Sequence, residues 1–172
     1  MSNLSDELKN KAILLGLCEE WQREWGSPSF DQLVDKYLRG IHWCMERSFP
    51  NLELTEGLES RNIFSRGDHF VIHDHKVVVR GSSDVSVFYD MMDAGDVYVG
   101  NDSHVSVCAY DDSVVTVHAY QNAKVTVRAN QKAKVYIYLY GGSVEILEDN
   151  GLVNIIDKRN EANLDTKGNI SS

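Results

Sequence analysis

Three histidines, His69, His73 and His75, fall within a seven-residue stretch, with Asp68 and Asp74 beside them. Two imidazoles and a carboxylate are a donor set suited to a divalent ion. If the stretch is extended, alternation brings His73 and His75 to one side of a strand, which makes them the candidate metal ligands. A second group is aromatic: Tyr98, Tyr110, Tyr120, Tyr136, Tyr138 and Tyr140 recur at outward positions of a repeating segment. Such rings offer a stacking platform for a sugar or a protein partner, although tyrosine is also simply a good strand former. Within this group Tyr110, Tyr120, Tyr138 and Tyr140, with the cations Lys124, Arg128 and Lys134 nearby, are the candidate binding residues. Tyr120 and Tyr140, two repeats apart, are expected to stack.

The His-x-His pair resembles the opening of the cupin motif, but Lys76-Val77-Val78-Val79-Arg80 supplies no glutamate after it, and the later Gly/Pro/His element is missing. The acidic turns at Asp102 and Asp111-Asp112 lack the glycine-rich spacing of calcium-binding nonapeptide rolls. No phosphate loop, nucleophile elbow or H-E-x-x-H is present. No cofactor is expected. Cys18, Cys44 and Cys108 are odd in number and show no C-x-x-C spacing, so they read neither as a disulfide framework nor as a thiolate zinc site. Cys18 and Cys44 lie on apolar helical faces and read as core residues.

These residues sit in a chain of 172, 42% hydrophobic and 25% charged, the composition of one soluble domain with a small appendage. The first residues are polar and acidic, unlike a secretory leader, and no apolar run approaches the ~18 residues of a membrane span. The expected location is the cytoplasm, with no membrane partner. A net charge of -9 makes nucleic acid an unfavoured partner. The charge is uneven, since 68–112 carries nine acids against Lys76 and Arg80, whereas 113–140 carries four bases and no acid. Along a stack this predicts one acidic and one basic end, and head-to-tail attraction.

The elements that must position the candidates change character along the chain. Over 1–60 apolar residues recur at helical spacing, with Leu14, Leu17, Cys18, Trp21 and Trp25 on one face. A helix start at Ser5, an end at Gly26-Ser27-Pro28, a capping box at Ser29 and Gln32, and a break or kink at Gly40 are expected. A short helix over 54–58 is also expected. From about Val71 the period becomes two. Val105, Val115, Val125 and Val135 recur every ten residues, while Val85, Val97 and Val105 are spaced by twelve and then eight. Through 103–139 every odd position reads as inward.

Ten residues at ~3.3 Å each span about 33 Å, too little to wrap two sheets ~10 Å apart, but two repeats per coil suffice. The fold class is therefore mainly β with a helical N-terminal head: a short β-solenoid of ten-residue repeats, two per coil, in three to four coils. Ala109, Ala119, Ala123, Ala129, Ala133 and Ser113 belong at its corners. The alternative is an antiparallel meander covered by the helices, turning at 110–113, 121–122 and 141–142. The expected organisation is a helical cap over 1–60, a solenoid over 61–156 and a polar tail over 157–172. A helical head containing L-V-D-K-Y-L-R-G-I-H-W-C-M-E (Leu33 to Glu46), followed by A-x-V-x-V-x-A repeats, resembles uncharacterised bacterial proteins often found in prophages. That resemblance implies a mobile-element origin and no assigned activity. The leading functional reading is a non-enzymatic interaction module that binds a protein partner or associates with itself, carbohydrate being a further ligand class. The alternatives are a phage structural component, or a small metal-dependent or carbohydrate-acting enzyme with its site at His69 to His75.

Overall fold

The computed structural model describes residues 3–161, so most of the tail placed at 157–172 lies outside the described residues. The chain divides between Asn51 and Leu52 into two compact units. The first holds four helices, α1 (Leu4–Leu14), α2 (Glu19–Arg23), α3 (Phe30–Arg39) and α4 (Ile41–Glu46). Asn3, not Ser5, caps α1 by accepting the Ser5 N–H at 3.2 Å. Ser5 is buried, and its hydroxyl accepts from Trp25 Nε1 at 3.0 Å. The single helix expected to reach Trp25 stops early because Gly16 takes a left-handed conformation at φ +90°. Its N–H bonds to Ile13 O and that of Leu17 to Ala12 O, a Schellman motif that satisfies the terminal carbonyls. The Ser29–Gln32 capping box is present in both directions, and Gly40 separates α3 from α4. Instead of a helix over 54–58 there are two single 3-10 turns, Leu52–Leu54 and Glu59–Arg61.

The second unit is a parallel β-solenoid of about four turns. Its strands are β1 (Ile63–Phe64), β2 (Asp68–Ile72), β3 (Lys76–Val79), β4 (Asp84–Tyr89), β5 (Ala94–Val99) and β6 (His104–Ala109). They continue with β7 (Val114–Ala119), β8 (Lys124–Ala129), β9 (Lys134–Leu139), β10 (Ser143–Asp149) and β11 (Leu152–Asp157). Odd-numbered strands form one sheet, in the order β1-β3-β5-β7-β9-β11, and even-numbered strands the other. Every pairing is parallel; from β3 to β9 residue i meets residue i+20, with Val105 beside Val125 and Val115 beside Val135, and the offset is shorter in the first and last pairings. This overturns the antiparallel meander: 110–113, 121–122 and 141–142 are corners leading to the opposite sheet.

The inward valines are fully buried, as are the corner residues Ala109, Ala119, Ala123, Ala129, Ala133 and Ser113. Burying each valine contributes roughly 1.5 kcal/mol or more. The apparent twelve-then-eight spacing is no change of length. Gly95 pairs with Val115, so it occupies the valine position ten residues after Val85, and the period of ten runs unbroken from 85 to 135. The valine is missing because Tyr89 replaces the alanine found at 109 and 129, and its ring fills the space. A Cβ on Gly95 would lie 2.5 Å from Tyr89 Cζ.

Each four-residue corner carries a left-handed residue: Gly81, Asn101 and Gln121 on one side, Met91, Asp111 and Gln131 on the other. Their side chains close the corners. Asn101 Oδ1 accepts the Gly81 N–H at 3.0 Å, and Gln121 Oε1 accepts that of Asn101 at 2.9 Å. Asp111 and Gln131 do the same for Met91 and Asp111 at 3.2 and 2.7 Å. The pattern ends at Gly141-Gly142, where the corner loses one residue and Val144 pairs with Val125. Gly142 is left-handed at φ +77°, and a Cβ there would collide with the Ala123 carbonyl.

The Tyr89–Gly95 exchange is directly testable. Gly95→Val should destabilise the protein by about 3 kcal/mol in urea unfolding, through overpacking against Tyr89. The double variant Tyr89→Ala, Gly95→Val restores the repeat consensus, so it should be less destabilised than the sum of the single changes by ~1 kcal/mol or more. Strict additivity would show that the two side chains do not share this space.

Candidate functional site

The twenty-residue offset sorts the candidate residues by face. On the outer surface of the odd-strand sheet, Tyr98, His118 and Tyr138 stand in register and stack. Their ring centroids are 4.7 and 5.2 Å apart, with interplanar angles of 10° and 11°. Tyr120 and Tyr140 stack beside them at 5.0 Å. Lys76 Nζ lies 5.8 Å from the Tyr98 ring centroid. Tyr98, His118 and Tyr120 are buried, and burial first, then Asp96 and Tyr140, pushes the Tyr98 hydroxyl up to about 12. The rings turn their faces to one another, so the column is itself a stacked structure rather than a bare platform. Tyr140, 37% exposed, is its most open member. Tyr110 belongs elsewhere: it packs on Phe88 at 5.2 Å, on the even-strand side.

The cations divide in the same way. Lys124 and Arg128 lie on β8 in the even-strand sheet and Lys134 on β9 in the odd-strand sheet, all exposed. They do not form one patch. Nor is the basic band an end of the stack, because β10 and β11 follow it with Glu145, Glu148, Asp149 and Asp157. The expected contrast between an acidic and a basic end is therefore corrected to a basic band between acidic coils. Cys108 is half-buried on the even-strand sheet, and burial raises its thiol pKa. Cys18, expected in the core, is exposed, whereas Cys44 is buried.

His73 and His75 lie in the corner between β2 and β3, not on a strand. His75 Nδ1 donates to the Ala94 carbonyl at 3.0 Å, and His69 Nε2 to the Arg66 carbonyl at 2.7 Å. The three histidines therefore do not converge. His73 instead meets two carboxylates from the next coil. Its Nδ1 hydrogen-bonds Asp93 and lies 3.5 Å from Asp90 Oδ1. The ligand atoms of His73, Asp90 and Asp93 all fall within 4.8 Å of one another. Sequence reasoning missed both aspartates because they are seventeen and twenty residues away; the coil offset was the signal that would have found them. Tyr89 completes the corner by donating to the Asp74 carbonyl at 2.9 Å, and burial, then Asp74, raises its pKa well above the usual tyrosine range.

The first unit has a feature not anticipated from its pattern, an apolar cleft of about 400 Å³. Trp21, Trp25, Trp43, Tyr37 and Phe49 line it. Arg39 lies 4.6 Å over Trp21 and pairs with Glu24 at 3.1 Å; Arg47 lies 4.8 Å over Trp43. Its size is within the range of small-molecule pockets. Three tryptophans within 23 residues, with Gly40 giving Trp21 room, were its trace in the sequence. No helix is long and apolar enough to cross a membrane among the described residues. No protein-family model, curated protein or solved structure matches the chain.

The hydrogen bond to Asp93 holds the His73 pKa above 6.5, against the opposing effect of desolvation and with help from the Asp93, Asp90 and Asp74 charges. His73 holds Asp93 below the usual carboxylate range. A raised histidine pKa contributes stability that is complete below the unfolded value near 6.5 and is lost as pH rises through the folded value. In a chelator-containing buffer, the melting temperature of the parent should therefore fall more between pH 6 and pH 8.5 than that of His73→Asn. Parallel pH profiles would show that the pair is not formed in solution.

Proposed function

We propose that the chain is an interaction module that works by extending its odd-strand sheet at β11, the first partner being a second copy of itself. The observation that carries this reading is the contrast between the two strands of the last coil. Among the described residues, β10 pairs only with β8 and β11 only with β9, so each has an open edge. The β10 edge is blunted: it carries Glu145, Glu148 and Asp149, and its register shifts between Ile146 and Glu148. Charges and bulges are the devices by which proteins keep edges from pairing. In β11 the register is regular and 152–156, Leu-Val-Asn-Ile-Ile, has no charge. Leu152 is 50% exposed and Ile155 42%.

A two-fold axis at Asn154 would pair β11 with its copy in antiparallel fashion, setting Leu152 of one copy opposite Ile156 of the other. Addition at a sheet edge derives affinity from main-chain hydrogen bonds and selectivity from alternate side chains. Sedimentation velocity across a concentration series provides the test. The parent should shift to dimer within the micromolar range, whereas Leu152→Lys with Asn154→Lys should stay monomeric with an unchanged circular dichroism spectrum. A parent that is monomeric at every concentration overturns self-pairing. A dimer that ignores the double substitution places the contact away from β11.

A further inference from the structure

We infer that the corner formed by His73, Asp90 and Asp93 is a binding site for one divalent transition-metal ion, zinc being the ion its donors suit best. The site joins two successive coils, since His73 comes from the β2–β3 corner and both aspartates from the β4–β5 corner. The two carboxylate oxygens are hard donors that many divalent ions accept, but the imidazole nitrogen is a borderline donor that favours zinc over magnesium or calcium, which take oxygen ligands. Two carboxylates also balance the ion's charge.

The dimensions suit it. In a tetrahedral zinc site with bonds of ~2.1 Å, neighbouring ligand atoms stand about 3.4 Å apart. His73 Nδ1 and Asp90 Oδ1 are already 3.5 Å apart. His73 and Asp93, now hydrogen-bonded, need only separate as the ion replaces the shared proton. The His73 side chain is 46% exposed, so an entry path exists.

A second, independent observation is that this corner departs from the repeat. The later coils place Tyr110 and Asn130 where Asp90 stands, and Ser113 and Ala133 where Asp93 stands. Ser113 and Ala133 are small and fully buried, the types this position requires for packing. Only here is it a carboxylate, and only here does the preceding coil offer an imidazole from a left-handed residue at φ +61°. Asp93 is held in place by accepting the Asp90 N–H at 3.3 Å. Neither aspartate is explained by solenoid packing.

The test is calorimetric titration of zinc chloride into the full chain after removal of metal with a chelator. One equivalent should bind, and zinc should raise the melting temperature. Asp93→Asn and His73→Asn should each weaken binding at least ten-fold; asparagine tolerates the left-handed conformation at position 73. His75→Asn, outside the set, should bind as the parent does. Nitrogen-detected spectra of the histidine rings give a readout that needs no variant, with zinc shifting Nδ1 of His73 and leaving its Nε2 protonated. Absence of binding, equal weakening by His75→Asn, or a response at another histidine in place of His73 would overturn the assignment. Because the site lies at the first coils, its failure would leave the β11 pairing untouched, and the reverse also holds.

Discussion

Everything in the solenoid depends on one register, the parallel pairing of each residue with the residue one coil later. In a parallel sheet the connection must cross to the far side before it can return, and here the second sheet makes that crossing. Two six-residue strands and two four-residue corners complete a regular coil, which keeps the inward positions odd through 139; where the Gly141-Gly142 corner is one residue shorter, the inward position moves to Val144. The corners therefore need a fixed backbone shape, which the left-handed residue supplies. Asparagine, aspartate and glutamine at 101, 111, 121 and 131 do more than tolerate that shape. Each accepts a backbone N–H from the corner below, so the stack of coils hydrogen-bonds through its corners as well as through its strands.

Against so regular a frame, local departures carry information. Tyr89 and Gly95 are two departures that cancel: a large side chain in an alanine position is accommodated by removal of a side chain from a valine position. The exchange keeps the coil length, the Tyr89 ring filling the space a side chain at 95 would take. The corner between them is where Asp90 and Asp93 face His73, and where Tyr89 reaches the Asp74 carbonyl. The same logic applies at Gly141-Gly142, where a shortened corner precedes the acidic, bulged β10. Packing explains the regular coils, and both proposed sites fall in the irregular ones.

Much of this was legible in the sequence. The unbroken parity from 103 to 139 identified the inward face, which the buried valines and alanines bear out, and the perimeter argument required two repeats per coil, which the pairing of i with i+20 bears out. The Ser29–Gln32 box was readable because capping is local. What escaped was whatever depends on a contact between coils. His73 and His75 look like neighbours in sequence, yet the register sends one toward Asp93 and the other toward the Ala94 carbonyl. The spacing of Val85 and Val97 looked like a change of length because a glycine in a valine position is invisible to a hydrophobic pattern. Gly16 ended a helix whose apolar pattern continued past it, and of the face expected there Leu17 and Trp25 are buried while Leu14 and Cys18 are exposed, since periodicity does not report whether the backbone is continuous.

The two proposed sites stand at opposite ends of the stack, and the architecture determines how far they can influence each other. In a solenoid each coil contacts only its neighbours, so stability is a sum of coil terms and nearest-neighbour interfaces. An ion at the first corner would tie β2–β3 to β4–β5 and raise the cost of opening those coils, while among the described residues β11 pairs with β9 alone. Coupling between the ends therefore has to pass through the interfaces of the intervening coils, whose core is buried valine and alanine. A rigid spacer of this kind transmits position and not conformational change. The fold is thus suited to holding two distinct contacts a fixed distance apart, which is what an interaction module requires.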